Sequence, residues 1–293
     1  MPPRMKPLDV LMGISVPLMW GMGFTASKPV VADFPPILLM ALRFAVTAMA
    51  LIWFVRPPWP KMRMIALVAL VGSAVQYGMT FYGLRLLDAS SAVLIVQLEV
   101  PFATLLAALF LGEHLGLRKL MGMAVAFLGV FLIAGEPRGG NELIGVFLVI
   151  GGALSWAAGQ VMARTLGNIG GFTMIAWVAA FASPQLFIAS LIVEADHLHH
   201  IREASAQVWI TVVYLGLVMT ALGYAIWYRL LGMYSVGQVA PFLLLLPVFS
   251  IMASVLFLGE ALTWWLVLGG SVVIAGVAII LIEPRRAGNR NNP

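Results

Sequence analysis

Long apolar stretches alternate with short polar, glycine-containing or proline-containing breaks along the whole chain. A helix needs about 20 apolar residues to cross a bilayer, and the stretches have that length. Reading them between the breaks predicts ten membrane-spanning helices with short connections and no separate soluble domain. The predicted spans are Leu8–Ser27, Pro36–Val55, Met64–Leu84, Ala89–Leu111, Leu117–Gly135, Leu143–Met162, Phe172–Val193, Val208–Tyr228, Val236–Leu258 and Thr263–Ile282.

The composition agrees with this pattern. Hydrophobic residues make up 62% of the chain and charged residues 10%, whereas soluble domains contain roughly 45–50% apolar and about 25% charged residues. A soluble protein is therefore excluded, and the lipid bilayer is the expected surroundings. The chain has no cysteine, which excludes disulfides, thiolate chemistry and cysteine metal sites. We interpret the apolar stretch after the basic N-terminus as the first span and not as a cleaved signal peptide.

The net charge of +5 could suggest an anionic partner such as nucleic acid. The distribution of the charges favours a different explanation, because Lys and Arg concentrate in the cytoplasmic connections of membrane proteins. With both termini in the cytoplasm, twelve of the 17 Lys and Arg residues lie on the cytoplasmic side. We therefore expect a multi-pass protein of the cytoplasmic membrane, with both termini inside and no nucleic-acid partner.

One stretch of the sequence occurs twice. Leu109–Pro137 matches Leu256–Pro284 without a gap, and thirteen of the 29 positions are identical. The identical positions include LFLGE at the start and Glu-Pro at the end, which apolar composition alone does not explain. We infer two copies of one five-helix unit, residues 8–137 and residues 143–284.

An odd number of helices in each copy means that the second copy enters the membrane from the opposite side. Inverted repeats of this kind are typical of secondary transporters, whose substrate site lies near the middle of the membrane between the two halves. Further aligned pairs are Trp20 with Trp156, Gly23 with Gly159 and Lys28 with Arg164 at an offset of 136 residues, and Tyr77 with Tyr224 at an offset of 147.

Several polar and aromatic side chains fall at similar depths in the predicted spans. Aromatic rings with a few amides suit a neutral or zwitterionic ligand with an apolar body, because ligand pockets are mostly apolar with few polar groups. A single Trp or Tyr more often belongs to an interfacial belt or to helix packing, so the repeat-related pairs carry the prediction. The candidate substrate-binding residues are Trp20, Gln76, Tyr77, Gln97, Glu99, Trp156, Gln160, Tyr224 and Ser250.

Glu99 is the only acid in the middle of a predicted span. An ionisable side chain at that depth is costly and is by default a functional hypothesis. It could couple transport to protons, or it could be a structural group that is protonated or hydrogen-bonded to a neighbouring helix. The aligned residue of the second copy is Leu246, so the fold itself does not require an acid.

Pro101 and Pro247 lie in the middle of the fourth and ninth spans, one position out of register between the copies. Proline removes a helical hydrogen bond and kinks the helix. Interrupted helices at matching places in two halves indicate a transporter site. We expect helix kinks with a gating role at this pair, although either proline alone could simply shape the packing.

Two other features could suggest a ligand site, but we expect neither to form one. Arg43 could bind an anion, but we expect its long side chain to snorkel to the outer interface. His197, His199 and His200 could suggest a metal site, but we expect them to lie in a solvated loop without the spacing of helical ligands.

Glycines are spaced seven residues apart in the fifth and tenth spans, at Gly122 and Gly129 and at Gly269 and Gly276. They could form a dimer interface or pack within one chain, and the sequence leaves both open, so a monomer is one of the expected states. The sequence contains no hydrolase triad motif, dinucleotide-binding fingerprint or phosphate-binding loop. We therefore predict no catalytic residue, no cofactor and no metal.

Each copy ends in LFLGE, a glycine-rich helix and Glu-Pro, and in these features the chain resembles the drug/metabolite transporter superfamily in its ten-helix EamA-type branch. The stretch Leu98–Phe102, LEVPF, is similar to the Leu-Glu-Pro-Val-Phe pattern of that family, with the proline displaced by one position. Glu99 thus falls where the family often has an acid. Within the branch, the sequence most resembles YddG-type exporters of aromatic amino acids.

The resemblance implies an all-α integral membrane protein with ten transmembrane helices, as two inverted five-helix repeats around a central cavity. Spans one, three, four, six, eight and nine would line the cavity, with the fifth and tenth outside it. The substrate implied is a small molecule, an amino acid (notably an aromatic one) or a related metabolite, exported by alternating access.

Two other functions are alternatives to amino-acid export. One is a proton-coupled multidrug exporter that uses Glu99. The other, from a different class, is a membrane-embedded enzyme or a ligand sensor. An enzyme would show a cluster of catalytic side chains at one depth and a sensor a soluble signalling segment, and neither is visible in the sequence.

Overall fold

The structure is a computed structural model that describes residues 5–135, 140–167, 169–234 and 236–282. In these ranges the chain is helical, without a β-strand. Within the described ranges, ten helices are long and apolar enough to cross a membrane. They are α1 (Pro7–Asp33), α2 (Pro36–Phe54), α3 (Trp59–Leu86), α4 (Ala89–Leu111), α5 (Leu117–Ala134), α6 (Asn141–Thr165), α7 (Gly171–Val193), α8 (Ala206–Met233), α9 (Ala240–Leu258) and α10 (Trp264–Leu281).

The ten predicted spans are confirmed, since each falls on one of these helices. The largest difference is in α1, which continues to Asp33, whereas the prediction ended at Ser27 before the charge of Lys28. The helix can continue because the Lys28 ammonium donates to the backbone carbonyls of Leu84 and Leu87, so its charge is accommodated within the protein. The Glu-Pro pairs that end the two copies, at 136–137 and 283–284, lie outside the described residues.

Contacts between helix ends define two faces of the bundle. On one face, the Lys61 ammonium at the start of α3 donates to the carbonyl of Leu166 after α6, at 2.6 Å. On the other face, Glu194 after α7 accepts the N–H of Ile37 at the start of α2, at 2.8 Å. We call the first the terminal face, since α1 begins and α10 ends there, and the second the opposite face.

Helices α4 and α9 are irregular at repeat-related places. A turn at Gln97–Leu98 interrupts α4, and α9 begins with a 3-10 stretch, Ala240–Leu244. In α4 the cause is Pro101, which has no N–H to donate to the carbonyl of Gln97 four residues earlier. The N–H of Val100 donates to that carbonyl instead, at 3.2 Å. Pro247 removes a backbone donor in the same way just after the 3-10 stretch of α9.

Helices α3 and α8 each contain a π-helical stretch, Leu70–Val75 and Tyr214–Leu222. Such wide turns occur mostly as short insertions and frequently at functional sites. The stretch in α3 ends just before Gln76 and Tyr77, and the one in α8 ends just before Gly223 and Tyr224. The backbone is therefore widened directly before the two repeat-related tyrosines.

Helices α5 and α10 pack against each other along their glycines. A Cβ added at Gly122 would lie 2.8 Å from the carbonyl oxygen of Gly276, and one at Gly129 would lie 2.7 Å from that of Gly269. Only residues without a side chain allow the two backbones to approach this closely. Of the two interpretations that the sequence left open, packing within one chain is the one observed, so the glycine spacing carries no argument for a dimer.

The connection from α7 to α8 contains a short helix, His197–Arg202, so the expectation of a loop at the three histidines is wrong. His199 and Glu203 form an i,i+4 pair there, with 3.3 Å between Nε2 and Oε2. Among the residues that the structure describes, no group of three metal-ligating side chains comes together.

Candidate functional site

A cavity of about 290 Å³ lies between the helices. Its wall is built from α1, α3, α4, α6, α8 and α9, with additions from α2 and α10. The expectation that the tenth helix lies wholly outside the cavity is wrong, because α10 contributes Val277 and Leu281. Eight of the nine predicted binding residues line the cavity: Trp20, Gln76, Tyr77, Gln97, Glu99, Trp156, Gln160 and Tyr224. Their role in binding stays a prediction.

Aromatic rings form one wall of the cavity. The ring centroid of Trp20 lies 5.0 Å from that of Tyr224 and 5.9 Å from that of Trp227. Tyr224 in turn lies 5.9 Å from Tyr228. The indole N–H of Trp20 donates to the carbonyl of Met219 at 2.9 Å, which fixes the ring against the π-helical stretch of α8. The result is a preformed apolar surface against which the ring of a ligand can pack.

Two residues of this wall, Trp227 and Tyr228, were not among the predicted ones. They follow Tyr224 by three and four residues, and residues at that spacing share one face of a helix. This spacing is a signal in the sequence that could have identified them once Tyr224 had been chosen.

Arg43 of α2 lies in the cavity wall and is completely buried. Its Nε donates to the hydroxyl of Thr220 at 3.0 Å and its Nη2 to the hydroxyl of Tyr77 at 3.2 Å. The expectation that Arg43 snorkels to the outer interface is wrong, because these contacts with α8 and α3 hold its side chain inside the bundle. Among the described residues, no carboxylate lies within ion-pair distance of it.

Glu99 begins the second segment of α4, directly after the turn at Gln97–Leu98. Its half-buried side chain faces the cavity, and it has no hydrogen-bond or ion-pair partner in the described part of the chain. The N–H groups that follow it are not free to stabilise its carboxylate, because those of Val100 and Phe102 donate to the carbonyls of Gln97 and Leu98, and Pro101 has no N–H. The helix break caused by Pro101 therefore places an acid where it can accept a proton or a ligand cation.

Gln76 adds a polar group to the wall. The residue is 4% exposed, and its Nε2 lies 3.5 Å from the hydroxyl of Thr80. Its Oε1 has no partner among the described residues. A buried amide oxygen without a donor costs free energy, so this oxygen would accept a hydrogen bond from a ligand or a water.

Ser250 is the predicted binding residue that does not line the cavity. It is completely buried where α9 packs against α1, and its carbonyl accepts the hydroxyl of Thr25 at 3.3 Å. Pro101 and Pro247 are also buried within their helices. Neither proline lines the cavity, although Pro101 directly follows the lining residue Val100 and Pro247 the lining residue Leu246. The gating role of this pair stays a prediction.

A smaller pocket of about 70 Å³ adjoins the cavity between α2, α3, α6, α7 and α8. The residues that line both spaces are Tyr77, Trp156, Gln160, Tyr224 and Tyr228. Trp156 therefore lies at a junction, where its ring can contact a ligand in the cavity and also separate the two spaces.

A model of the EamA-like transporter family matches the chain twice, over residues 8–135 and 143–282. These two matches together cover almost all of the described helices.

Several curated proteins are similar to the chain over most of its length. A relative from Escherichia coli strain K12, named a probable amino-acid metabolite efflux pump, is 29% identical over 280 residues, which is 92% of this chain and 94% of the relative. A relative of the same name from Salmonella typhimurium has the same identity and coverage. A probable terminal-alkyne amino-acid exporter from Streptantibioticus cattleyicolor is 29% identical over 242 residues, 79% of this chain and 77% of the relative.

A solved crystal structure superposes on the chain with a TM-score of 0.68, covering 96% of this chain and 100% of that one. The two sequences are 20% identical, so the likeness concerns the fold.

Proposed function

The chain belongs to the EamA-like transporter family, and we propose that it exports amino acids, notably aromatic ones, and related small metabolites from the cytoplasm. We place it in the cytoplasmic membrane with both termini inside. The cavity would open alternately to the two sides, as the two five-helix copies, inverted relative to each other, rock about the site. The names of the curated relatives support amino acids as the substrate class.

The observation that carries this proposal is the composition of the cavity between the helices. A buried cation, Arg43, and an acid, Glu99, line it together with the rings of Trp20 and Tyr224. An aromatic amino acid carries a carboxylate, an ammonium group and a ring, which are the three complements of these side chains. The volume of about 290 Å³ lies just below the range of roughly 300–1,000 Å³ for ligand sites, which suits one small metabolite.

Electrostatics favours a zwitterion over a ligand with a net charge. A charge buried in low dielectric without a partner is costly, and Arg43 has no carboxylate partner among the described residues. A substrate carboxylate would supply that partner, and its ammonium group would do the same for an ionised Glu99. The loaded cavity would then be neutral as a whole, which lowers the cost of carrying the substrate through the membrane.

The first experiment is flux of labelled phenylalanine or tryptophan into liposomes that contain the purified protein, with and without a pH gradient. Flux down the amino-acid gradient alone supports a facilitative exporter in which Glu99 binds the substrate. Absence of flux for both amino acids under both conditions would contradict the proposed substrate class.

A proton-coupled multidrug exporter is the second candidate, and one observation favours it. Glu99 faces the cavity without a protein partner in the described part of the chain, as a group that binds and releases protons should. Flux that requires the pH gradient and that is lost in Glu99→Gln would support this candidate. We propose transport and not catalysis, because the matching family and the named relatives are transporters.

A further inference from the structure

The cavity is closed toward the opposite face. The rings of Phe24 and Phe81 stack there with centroids 5.9 Å apart, and the two residues are 6% and 0% exposed. The aligned residues of the second copy are Gln160, 136 positions after Phe24, and Tyr228, 147 positions after Phe81. Both of these line the cavity, and Gln160 is exposed. The same pair of positions thus forms a plug in one copy, in which Phe24 also lines the cavity and Phe81 does not, and two lining residues in the other.

The cavity continues toward the terminal face. Its lining includes Leu231 and Leu281, which lie near the ends of α8 and α10 on that face. Leu231 is half-buried, whereas the aligned residue Leu84 of the first copy is completely buried beside the plug. The described structure is therefore open on the terminal side and closed on the other.

Lys28 ties α1 to α3 next to the plug. Its Nζ donates to the carbonyl of Leu84 at 3.0 Å and to that of Leu87 at 2.6 Å. These carbonyls lie at the C-terminal end of α3, where no further helical turn supplies a donor. The helix dipole also favours a cation at this end. Lys28 therefore stabilises the closed arrangement of α1 and α3 on the opposite face.

Arg164 occupies the aligned position in the second copy but makes a different contact. The aligned acceptors are the carbonyls of Leu231 and Tyr234 at the end of α8. Within the described residues Arg164 donates to neither of them and pairs with Glu113 after α4. The side chains of Arg164 and Glu113 are 58% and 45% exposed. An exposed ion pair contributes little to stability, so Arg164 can exchange Glu113 for another partner at little cost.

We propose that Lys28 and Arg164 are two latches that close the two faces of the transporter in turn. In the described structure the Lys28 latch is closed and the Arg164 latch is open. When the cavity opens to the opposite face, Lys28 leaves the end of α3. Arg164 then leaves Glu113 and donates to the carbonyls of Leu231 and Tyr234, which joins α6 to α8 on the terminal face. The proposal rests on the proposed transport function for its purpose, but its contacts involve no substrate.

The test measures the separation of helix ends on each face. Because the chain has no cysteine, spin labels can be attached at introduced cysteines alone. Asp33→Cys with Arg85→Cys reports the separation of α1 and α3 on the opposite face, and Thr165→Cys with Gly232→Cys reports that of α6 and α8 on the terminal face. All four residues are exposed, and a Cβ at Gly232 meets no atom of the described residues within 4 Å. Distances are measured by double electron–electron resonance in lipid nanodiscs.

Without further substitution we expect a short distance on the opposite face and a long one on the terminal face. Lys28→Gln removes a charged donor from the carbonyls of Leu84, Arg85 and Leu87. It should shift the ratio of the two conformations by about tenfold toward a long opposite-face and a short terminal-face distance. Adding Arg164→Gln to Lys28→Gln should restore the long terminal-face distance, since neither latch can then close.

Two control variants should change neither distance. They are Lys28→Arg, which keeps the cation, and Arg202→Gln, which removes an exposed cation elsewhere. Lys28→Gln with both distances unchanged would overturn the latch.

Flux of labelled phenylalanine separates this proposal from the proposed function. If the distances shift as expected but no amino acid is transported, the proposed function is wrong and the latch proposal stands. If phenylalanine is transported normally but the distances do not change in Lys28→Gln, the latch proposal is wrong and the proposed function stands. If Lys28→Gln does not fold, the proposal is tested by substitution of Arg164, which is exposed. Arg164→Gln should then lower flux by about tenfold while Arg164→Lys retains it, and undiminished flux in Arg164→Gln would overturn the latch.

Discussion

The guanidinium carbon of Arg43 lies 4.3 Å from the ring centroid of Tyr77, and Nη2 donates to the Tyr77 hydroxyl at 3.2 Å. The cation therefore lies against the ring of a residue that lines both the cavity and the smaller pocket beside it, and Arg43 itself lines the cavity. A third contact, from Nε to Thr220 at 3.0 Å, fixes the plane of the guanidinium. Arg43 is thus oriented by two other helices before any ligand arrives, which is the condition for selective recognition of a carboxylate.

Replacing Arg43 by glutamine should weaken the binding of amino acids selectively. A hydrogen bond to a charged group contributes about 1.5–3 kcal/mol, so we expect KM for phenylalanine to rise about tenfold or more. Arg43→Lys should recover only part of this, because an ammonium group cannot reproduce the fixed geometry of the guanidinium. The measurement is concentration-dependent flux in liposomes, after thermal unfolding in detergent has shown that the variants are folded.

Tryptamine, which has the indole and the ammonium group of tryptophan but no carboxylate, is the matched ligand for this prediction. Its competition against labelled tryptophan should be weak in the unsubstituted protein and no weaker in Arg43→Gln. Equal losses of tryptophan and tryptamine binding would mean that Arg43 only supports the fold.

Glu99→Gln should distinguish recognition of an ammonium group from proton coupling. If Glu99 binds the substrate, the variant should raise KM for phenylalanine about tenfold or more and leave N-acetylphenylalanine, which has no ammonium group, unaffected. Flux should respond to a pH gradient in the same way before and after the substitution. A pH-dependent flux in the unsubstituted protein that becomes independent of pH in Glu99→Gln would instead identify Glu99 as the coupling group.

The helices and much of the cavity could be predicted from the sequence because they follow from local pattern and from the repeat. Ten apolar stretches can only be ten spans, and matched pairs such as Trp20 and Trp156 single out the positions that both copies direct inward. Arg43 could not be placed in this way. A charge a few residues inside a span can turn to the interface or to the interior, and the choice depends on hydroxyls of Thr220 and Tyr77 that are distant in sequence.

Ser250 and the glycines show the same dependence on tertiary contacts. Ser250 has the right depth, but the face of α9 that carries it packs against α1 near Thr25. The spacing of Gly122 and Gly129 indicates a close helix contact, but spacing alone cannot say whether the partner is α10 or a second chain. Periodicity identifies a face, and only the assembled bundle decides what covers it.

Trp156→Ala should weaken the transport of aromatic amino acids without unfolding the protein. The ring lines both the cavity and the adjoining pocket, so its loss removes a stacking surface and merges the two spaces. An aromatic pair contributes about 0.5–1.5 kcal/mol beyond area burial, so a loss of affinity of roughly three- to tenfold is expected. Flux of phenylalanine and of alanine should be compared, with the larger loss for phenylalanine.

Trp53→Ala is the matched control for that variant, because Trp53 is 83% exposed near the end of α2 and lies away from the cavity. It should leave the ratio of phenylalanine to alanine flux unchanged. Unchanged transport by a well-folded Trp156→Ala protein would remove Trp156 from the proposed binding site.

Gly129→Ala should destabilise the contact of α5 with α10. The new Cβ would lie 2.7 Å from the carbonyl oxygen of Gly269 and 2.5 Å from the backbone nitrogen of Val273, and backbone atoms of a packed helix cannot move aside as a flexible side chain can. Overpacking of this kind costs about 1–3 kcal/mol, which should appear as a lower unfolding temperature in detergent. Gly232→Ala, in a helix position with open space around it, should show no such loss, because alanine is the better helix former. An unchanged unfolding temperature for Gly129→Ala would mean that α5 and α10 can separate without cost, contrary to the close backbone packing between them.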